Sequence, residues 1–224
     1  MSRRKVTQSS VATVGELLNP YMKLSNNMHA EALVKALGAE TSGTGSWSAG
    51  LAAVRDHLAA EGVDVGNTRI VDGSGLSRMD LVRAQDVTDL LIASRDEPWF
   101  DTWYDALPIA GNPDRFTGGT LRSRMRDTAA ANNLHGKTGS LTGVTALSGY
   151  VSNADDRELV FSMISNNYLT SPRSLEDALG VTLASWSESD SADEAEKPRV
   201  NTRELRQRTD YGPEGLECSW VKAC

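Results

Sequence analysis

The chain has 224 residues and a mass of 24.1 kDa, which is enough for one sizeable domain with a buried core. Its 23 basic and 30 acidic residues give a formal net charge of -7 and a sequence pI of about 5.0. Nucleic acids and anionic membrane surfaces require a basic protein face, so we expect neither as a partner. No stretch reaches the length of a membrane span, and we expect no integral membrane segment.

The two ends of the chain differ in composition from its middle. Residues 1–5 are basic, but polar residues from position 8 onward interrupt any apolar run, so the sequence predicts no signal peptide. Residues 188–196 carry five acidic residues and no basic one, and a polar stretch follows. We therefore expect a domain over residues 1–187 and an acidic linker with a polar tail over residues 188–224.

Cysteine and histidine are scarce in this chain. The 2 Cys, Cys218 and Cys224, both lie in the tail, and the 3 His are scattered, so we expect no metal site. In an oxidising compartment the two thiols would form an intramolecular disulfide. Two free thiols at the chain end are the alternative.

Three helices are predicted in the first half of the chain. Apolar residues at helical spacing begin at Asn27, and this helix is predicted to end at Gly38. A second helix begins at Trp47 and ends before Gly62, and a third is centred near Val87.

The remaining helical signals are weaker. A short apolar patch at residues 17–18 is predicted to stop at Pro20. Four aromatic residues within 99–104 have the spacing of a helical turn that fills the core. Residues 120–132 are predicted to form a polar helix, and a last helix begins at Pro172.

From residue 134 the apolar period changes from helical to extended. Residues 134–140, 144–152 and 157–166 are predicted to form three antiparallel strands. The third is apolar on both faces, so both faces should be covered. The expected fold class is therefore α/β of the α+β type, with helices packed on an antiparallel sheet.

Two short motifs carry the chemistry. Ser25-Asn26-Asn27 precedes an apolar helix, and Lys137-Thr138-Gly139 lies on the first predicted strand. The pattern Ser-x-Asn is common by chance, and Lys-Thr-Gly is rarer. Together, in this order and in these settings, they match the second and third elements of the penicillin-recognising serine acyltransferases.

Five ordered blocks narrow this match to one family. They are residues 24–33, 71–77, 107–111, 119–122 and 135–143. Over about residues 17–186 the chain resembles the D-alanyl-D-alanine carboxypeptidase/endopeptidase family, the class C low-molecular-weight penicillin-binding proteins.

The resemblance implies both a fold and a reaction. The fold would be the transpeptidase fold shared by penicillin-binding proteins and β-lactamases. The reaction would be serine-type hydrolysis of D-Ala-D-Ala in peptidoglycan stem peptides, with β-lactams as further ligands and no cofactor. The family acts outside the cytoplasm, in the cell envelope or as secreted enzyme.

The Lys-Thr-Gly strand would recognise the substrate. By the resemblance, Lys137 supplies positive potential, and Thr138 and Ser140 hold the terminal carboxylate. Gly139 leaves room for a peptide backbone that pairs with the strand edge.

The Ser-x-Asn motif would act at the reacting bond. By the resemblance, Ser25 relays a proton and Asn27 binds the amide on the acyl side. The alternative is that Ser25 and Asn27 are only N-cap residues of the helix that follows.

The first family element, Ser-x-x-Lys, has no good counterpart in this chain. Only 24 residues precede Ser25, and the two matches in letters, at residues 2–5 and 219–222, lie in unsuitable settings. We therefore expect an enzyme piece without its nucleophile helix and N-terminal strands, inactive alone, whose partner is the missing N-terminal half. A non-catalytic module that binds peptidoglycan peptides and an inactive gene fragment are the alternatives.

Overall fold

The structure is a computed structural model, and it describes residues 12–189. The chain divides into two units, Met1–Trp186 and Ser187–Cys224. The cysteines at 218 and 224 and most of the expected acidic tail lie outside the described residues, so the domain boundaries and the disulfide stay predictions. Within the described residues, no helix has the length and apolarity to cross a membrane.

Six α-helices and three short 3-10 helices lie within the described residues. The α-helices are α1 (Val14–Leu24), α2 (Asn27–Ser42), α3 (Trp47–Ala60), α4 (Ala84–Ala93), α5 (Phe100–Ala106) and α6 (Arg173–Ser185). The 3-10 helices are Val65–Asn67, Ser94–Asp96 and Gly119–Leu121. The helices predicted near residues 27, 47, 87, 99 and 172 are all present.

Helix α1 corrects the prediction that the apolar patch stops at Pro20. A capping box starts the helix: the Thr13 side chain accepts from the backbone N–H of Glu16, and the Glu16 carboxylate accepts from that of Thr13. Tyr21 and Met22 then pack into the core beyond the proline. The capping box and the apolar packing together stabilise the helix by more than the loss of the one backbone hydrogen bond that Pro20 removes.

Helix α2 corrects the predicted end at Gly38. The helix continues to Ser42 and ends at Gly43, whose φ of 73° is the left-handed conformation that favours glycine. Gly38 instead lies where α2 meets α3, since a Cβ added there would be 2.7 Å from the backbone nitrogen of Gly50. This glycine permits close packing of two helices.

Residues 120–132 do not form the predicted polar helix. After the 3-10 turn Gly119–Leu121 the chain continues in turns, and Met125, Asp127 and Asn132 have φ values of 54°, 57° and 56°. Positive φ is incompatible with an α-helix. The segment is fixed instead by buried apolar anchors, among them Leu121 and Ala130.

The three predicted strands are present within one residue of their expected bounds. They are β1 (His135–Leu141), β2 (Val144–Ser152) and β3 (Glu158–Asn166), antiparallel in the order β1-β2-β3. Strand β1 forms one edge of this sheet in the described part of the chain.

Both faces of the sheet are covered, as its apolar pattern predicted. On one face Leu147, Val151 and Phe161 are buried in a core to which α6 contributes. On the other face Tyr150 and Val160 pack against α1, α4 and α5.

The predicted aromatic cluster is part of this second core. The Tyr150 ring is fully buried, with Phe100 and Trp103 packed edge-on against it. Its hydroxyl donates to the Leu91 carbonyl at 2.6 Å. The cluster fixes α5 and α4 on the face of β2 and β3.

Candidate active site

A cleft of about 570 Å³ opens beside strand β1. It lies between that strand, the junction of α1 and α2, the loop around residue 74 and the start of α6. All six residues singled out from the sequence line it: Ser25, Asn27, Lys137, Thr138, Gly139 and Ser140. The fold therefore brings together two motifs that are more than a hundred residues apart.

Ser25 ends α1 in an unusual conformation. Its φ of 53° and ψ of 57° are left-handed, which is uncommon for a residue other than glycine, asparagine or aspartate. The N-cap of α2 is Asn26, whose side chain accepts from the His29 backbone N–H at 3.1 Å. The alternative that Ser25 and Asn27 are N-cap residues is therefore wrong, and the strained conformation places Ser25 in the cleft wall.

Lys137 reaches across the cleft to Ser25. Its Nζ donates to Ser25 Oγ at 2.7 Å and to the Thr138 carbonyl at 2.9 Å. Burial lowers the pKa of the Lys137 ammonium to about 8. The ammonium is therefore easier to deprotonate than that of an ordinary lysine, although at neutral pH it is still mainly protonated and donates to Ser25.

The residues after Lys137 present hydroxyl groups to the cleft. Thr138 Oγ1 donates to Thr120 Oγ1 at 2.9 Å. Ser140 Oγ accepts from Arg173 Nη2 at 3.0 Å, so the proton of the Ser140 hydroxyl remains available for another acceptor.

The outer edge of β1 is suited to pairing with an extended peptide. The Gly136 N–H donates to the Pro108 carbonyl at 2.9 Å, on the side away from β2. Because backbone groups alternate along a strand, those of Thr138 and Ser140 point to the same outer side. Gly139 shares the face of Lys137 and adds no side chain there, which leaves space beside the ammonium.

Glu31 supports the loop that forms the opposite wall. Its carboxylate accepts from the backbone N–H groups of Gly73 at 3.2 Å and Ser74 at 3.0 Å, and from Trp47 Nε1 at 2.7 Å. Hydrogen bonds from the serine and from the tryptophan and backbone donors lower the pKa of Glu31 to about 2. Ser74 thereby lines the cleft.

The sequence analysis missed several residues of this cleft. Arg124, Arg173 and Asp177 line it, and Arg124 is bound to two carboxylates of α6, Glu176 at 2.9 Å and Asp177 at 2.7 Å. Ser74 and Thr120 lie within two of the five family blocks, and that position was the sequence signal that could have identified them. The cleft residues of α6 lie in none of these blocks and carry no such signal.

The model of the D-Ala-D-Ala carboxypeptidase 3 (S13) family matches residues 2–185. A D-alanyl-D-alanine carboxypeptidase of Actinomadura sp. (strain R39) is 45% identical over 214 residues, which are 95% of this chain and 38% of that protein. Carboxypeptidase DacB of Mycolicibacterium smegmatis is 34% identical over 186 residues, 80% of this chain and 39% of that protein. The chain thus spans about two fifths of the length of these curated relatives.

A solved structure supports the same assignment. Penicillin binding protein 4 (dacB) from Haemophilus influenzae, complexed with a β-lactam, superposes with a TM-score of 0.67 at 30% identity. The match covers 76% of this chain and 41% of that one. The predicted resemblance and the predicted fold, helices on an antiparallel sheet as in penicillin-binding proteins, are confirmed. The chain belongs to the D-Ala-D-Ala carboxypeptidase 3 (S13) family.

Proposed function

We propose that this protein acts in serine-type hydrolysis of D-Ala-D-Ala in peptidoglycan stem peptides, as carboxypeptidase and endopeptidase, outside the cytoplasm. The observation that carries this proposal is the contact between Lys137 and Ser25 across the cleft. Acyl transfer from a peptide requires a group that protonates the leaving amine. A hydroxyl held by an ammonium whose pKa is about 8 is suited to that task.

Substrate recognition is assigned to the β1 edge and the start of α2. A stem peptide would add as a strand to the outer edge of β1, with Gly139 leaving it room. Thr138 and Ser140 would bind its terminal carboxylate. Asn27, exposed at the first position of α2, would bind the amide on the acyl side.

We propose further that these 224 residues do not contain the acylating serine and its base. Ser-x-x-Lys occurs only at residues 2–5 and 219–222, and both lie outside the described residues. A serine hydroxyl is a weak nucleophile until an adjacent base removes its proton. In this proposal the Ser-x-x-Lys pair is contributed by other polypeptide, and the present chain contributes recognition and proton relay.

A chimera tests the proposal directly. This chain replaces the matching 214 residues of the Actinomadura carboxypeptidase, and covalent labelling by fluorescent penicillin and release of D-Ala from a pentapeptide are measured. We expect both activities, and we expect Lys137→Ala in the chimera to reduce both. A folded chimera that neither labels nor releases D-Ala contradicts the proposal.

The second candidate is a module that binds stem peptides without catalysis. It is favoured by the cleft, which gathers all six predicted site residues although no Ser-x-x-Lys lies within residues 12–189. A chain that binds a D-Ala-D-Ala peptide, while its chimera with the Actinomadura enzyme remains unlabelled, would support this candidate.

A further inference from the structure

A second cavity, of about 320 Å³, adjoins the cleft. The two share Thr120, whose hydroxyl accepts a hydrogen bond from that of Thr138. The residues that line the second cavity are Lys23, Leu24, Arg115, Gly119, Thr120 and Arg122. Three of these six residues are cations and none is acidic, although the chain as a whole has a net charge of -7. We call it the basic cavity.

The three cations of the basic cavity are not equally free to bind a ligand. Lys23 is only 1% exposed, and its ammonium donates to the Leu107 carbonyl. Arg122 is exposed and donates from Nη1 to the Gly119 carbonyl at 3.2 Å, which uses one of the five donors of a guanidinium. Arg115 is also exposed, with its guanidinium 5.8 Å from the ring of the phenylalanine that follows it. Both arginines therefore retain N–H donors for a ligand.

No acidic side chain neutralises these charges in the described part of the chain. Within residues 12–189, no carboxylate lies within ion-pair distance of Lys23, Arg115 or Arg122. Asp105 acts on Lys23 only from further away, where its charge opposes the lowering of the lysine pKa by burial. Guanidinium groups stay charged at any pH at which the protein folds. A cavity in which positive charges converge without a counter-charge attracts an anion.

The basic cavity lies on the leaving side of the proposed reaction. Its Leu24 directly precedes Ser25, which would protonate the leaving amine, and its Thr120 contacts Thr138, which would bind the carboxylate of the leaving residue. When D-Ala is released, the leaving group ends at that carboxylate. When a peptide cross-link is cleaved, the leaving residue belongs to a second stem peptide, which carries carboxylates of its own. Only the cross-linked substrate has a leaving group that extends further.

We propose that the basic cavity binds a carboxylate of the second stem peptide when a cross-link is cleaved, with Arg115 and Arg122 as its ligands. This inference rests on the proposed function, because it adds a subsite to the same cleft. A guanidinium presents parallel N–H donors that match the two oxygens of a carboxylate. Since a pentapeptide does not reach this subsite, the cavity favours endopeptidase over carboxypeptidase activity.

Inorganic phosphate tests the cavity without catalysis. It is titrated into the 224-residue chain at constant ionic strength, with chloride as the balancing anion, and the backbone amide signals of Gly119, Thr120 and Arg122 are followed by NMR. We expect saturable binding. Arg122→Gln should weaken it by about tenfold or more, and Arg122→Lys, which keeps a cation, should weaken it less. A parent chain that does not bind phosphate at these residues overturns the inference.

Arg55→Gln is the matched control. Like Arg122, Arg55 is exposed and donates to a backbone carbonyl, that of Val65, but it does not line the basic cavity. This variant should bind phosphate as the parent does. Equal weakening by Arg55→Gln and Arg122→Gln would show a general charge effect and would overturn the inference.

The chimera with the Actinomadura enzyme tests the substrate. Cleavage of a cross-linked stem-peptide dimer and release of D-Ala from a pentapeptide are measured, and the two values of kcat/KM are expressed as a ratio. Arg115→Gln and Arg122→Gln should each lower this ratio, dimer over pentapeptide, by about tenfold, and Arg55→Gln should leave it unchanged. A ratio that neither cavity variant changes refutes the inference, and any phosphate bound in the cavity is then an adventitious ion only.

Binding of the dimer separates failure of this inference from failure of the proposed function. An active chimera whose ratio is unaffected by Arg122→Gln leaves the function standing and refutes the role of the cavity. If the chimera is inactive, the uncleaved dimer is titrated into the 224-residue chain. Binding that Arg122→Gln weakens would then support the cavity and refute hydrolysis alone, and binding that it leaves unchanged would refute both.

Discussion

Lys137 Nζ and Ser25 Oγ are 2.7 Å apart although the two residues are separated by 112 positions in the sequence. Each side of this contact carries an energetic cost. Ser25 has a left-handed backbone, and the ammonium of Lys137 is largely withdrawn from water. Costs of this kind persist where the surrounding structure holds them and where function requires them.

The first prediction concerns the burial of Lys137. The pKa of this lysine is about 8 in the fold and 10.5 in an ordinary environment, so the folded state binds fewer protons between these values. Lys137→Met should therefore raise the free energy of unfolding at pH 7, by at most about 3 kcal/mol. The gain should shrink as the pH rises from 8 to 10.5, where the unfolded lysine also becomes neutral.

Urea unfolding of the parent and the variant at pH 7 and pH 10 measures this effect. Lys35→Met is the matched control, because Lys35 lies over the Trp47 ring on the α2 side of the fold and not in the cleft. If Lys137→Met is destabilised equally at both pH values, burial of the Lys137 charge does not lower the free energy of unfolding of the parent.

The second prediction concerns the backbone of Ser25. Glycine adopts left-handed φ without the steric cost that a Cβ introduces, so Ser25→Gly should be more stable than Ser25→Ala by about 1 kcal/mol. Both variants lose the hydroxyl that Lys137 contacts, and both should lose penicillin labelling in the chimera.

Asp156→Gly is the control for this pair. Asp156 has a φ of 57° in the turn between β2 and β3, outside the cleft. This variant should gain stability in thermal unfolding and keep its labelling. If Ser25→Gly keeps full labelling, the hydroxyl of Ser25 has no part in the reaction.

The strands were predictable from the sequence because their signal is local. The extended apolar runs of β2 and β3, and the turn at residues 153–156, specify the hairpin without any distant partner. The turns of residues 120–132 were not predictable, because the positive φ of Met125 has no local sequence signal and depends on the packing of this buried side chain.

The residues of the cleft were likewise predictable only where the sequence carries a recognisable motif. Ser25 and Lys137 were found through the order of their motifs, and the fold then brought both to one cleft. Arg173 and Asp177 were not found, because two charged residues one turn apart at the start of α6 have the pattern of any exposed helix face. Their place in the cleft follows from the packing of α6 on the sheet.

The third prediction concerns the carboxylate of Glu31. Its pKa is about 2 in the fold and 4.5 in an ordinary environment, so its contribution to stability is complete above pH 4.5 and is lost as the pH falls to 2. Glu31→Gln should lower the free energy of unfolding at pH 6, by about 1 to 2 kcal/mol, and have little effect near pH 2. Acid unfolding curves of the two proteins measure this difference.

Glu40→Gln provides the comparison for this variant, since Glu40 is exposed on the same helix and does not line the cleft. It should leave the acid unfolding curve unchanged. Loss of the Glu31 contacts should also loosen the loop at Gly73 and Ser74, which hydrogen exchange of their amides would detect. Unchanged exchange in Glu31→Gln would refute the supporting role of this carboxylate.

The last prediction concerns catalysis by the 224-residue chain alone. Within residues 12–189, Ser25 is the serine whose hydroxyl is hydrogen-bonded to a lysine, so it is the natural site for an adduct. At pH 7, however, a pKa of about 8 leaves Lys137 mainly protonated, and the ammonium donates to Ser25 Oγ instead of accepting its proton. A hydroxyl without a base is a weak nucleophile, so the purified chain should form no penicillin adduct and release no D-Ala from a pentapeptide. Intact-mass measurement after incubation with penicillin, at pH 7 and again at pH 9, checks this expectation. An adduct mapped to Ser25 and abolished by Ser25→Ala would overturn it, and would make Ser25 and Lys137 a nucleophile and base in their own right.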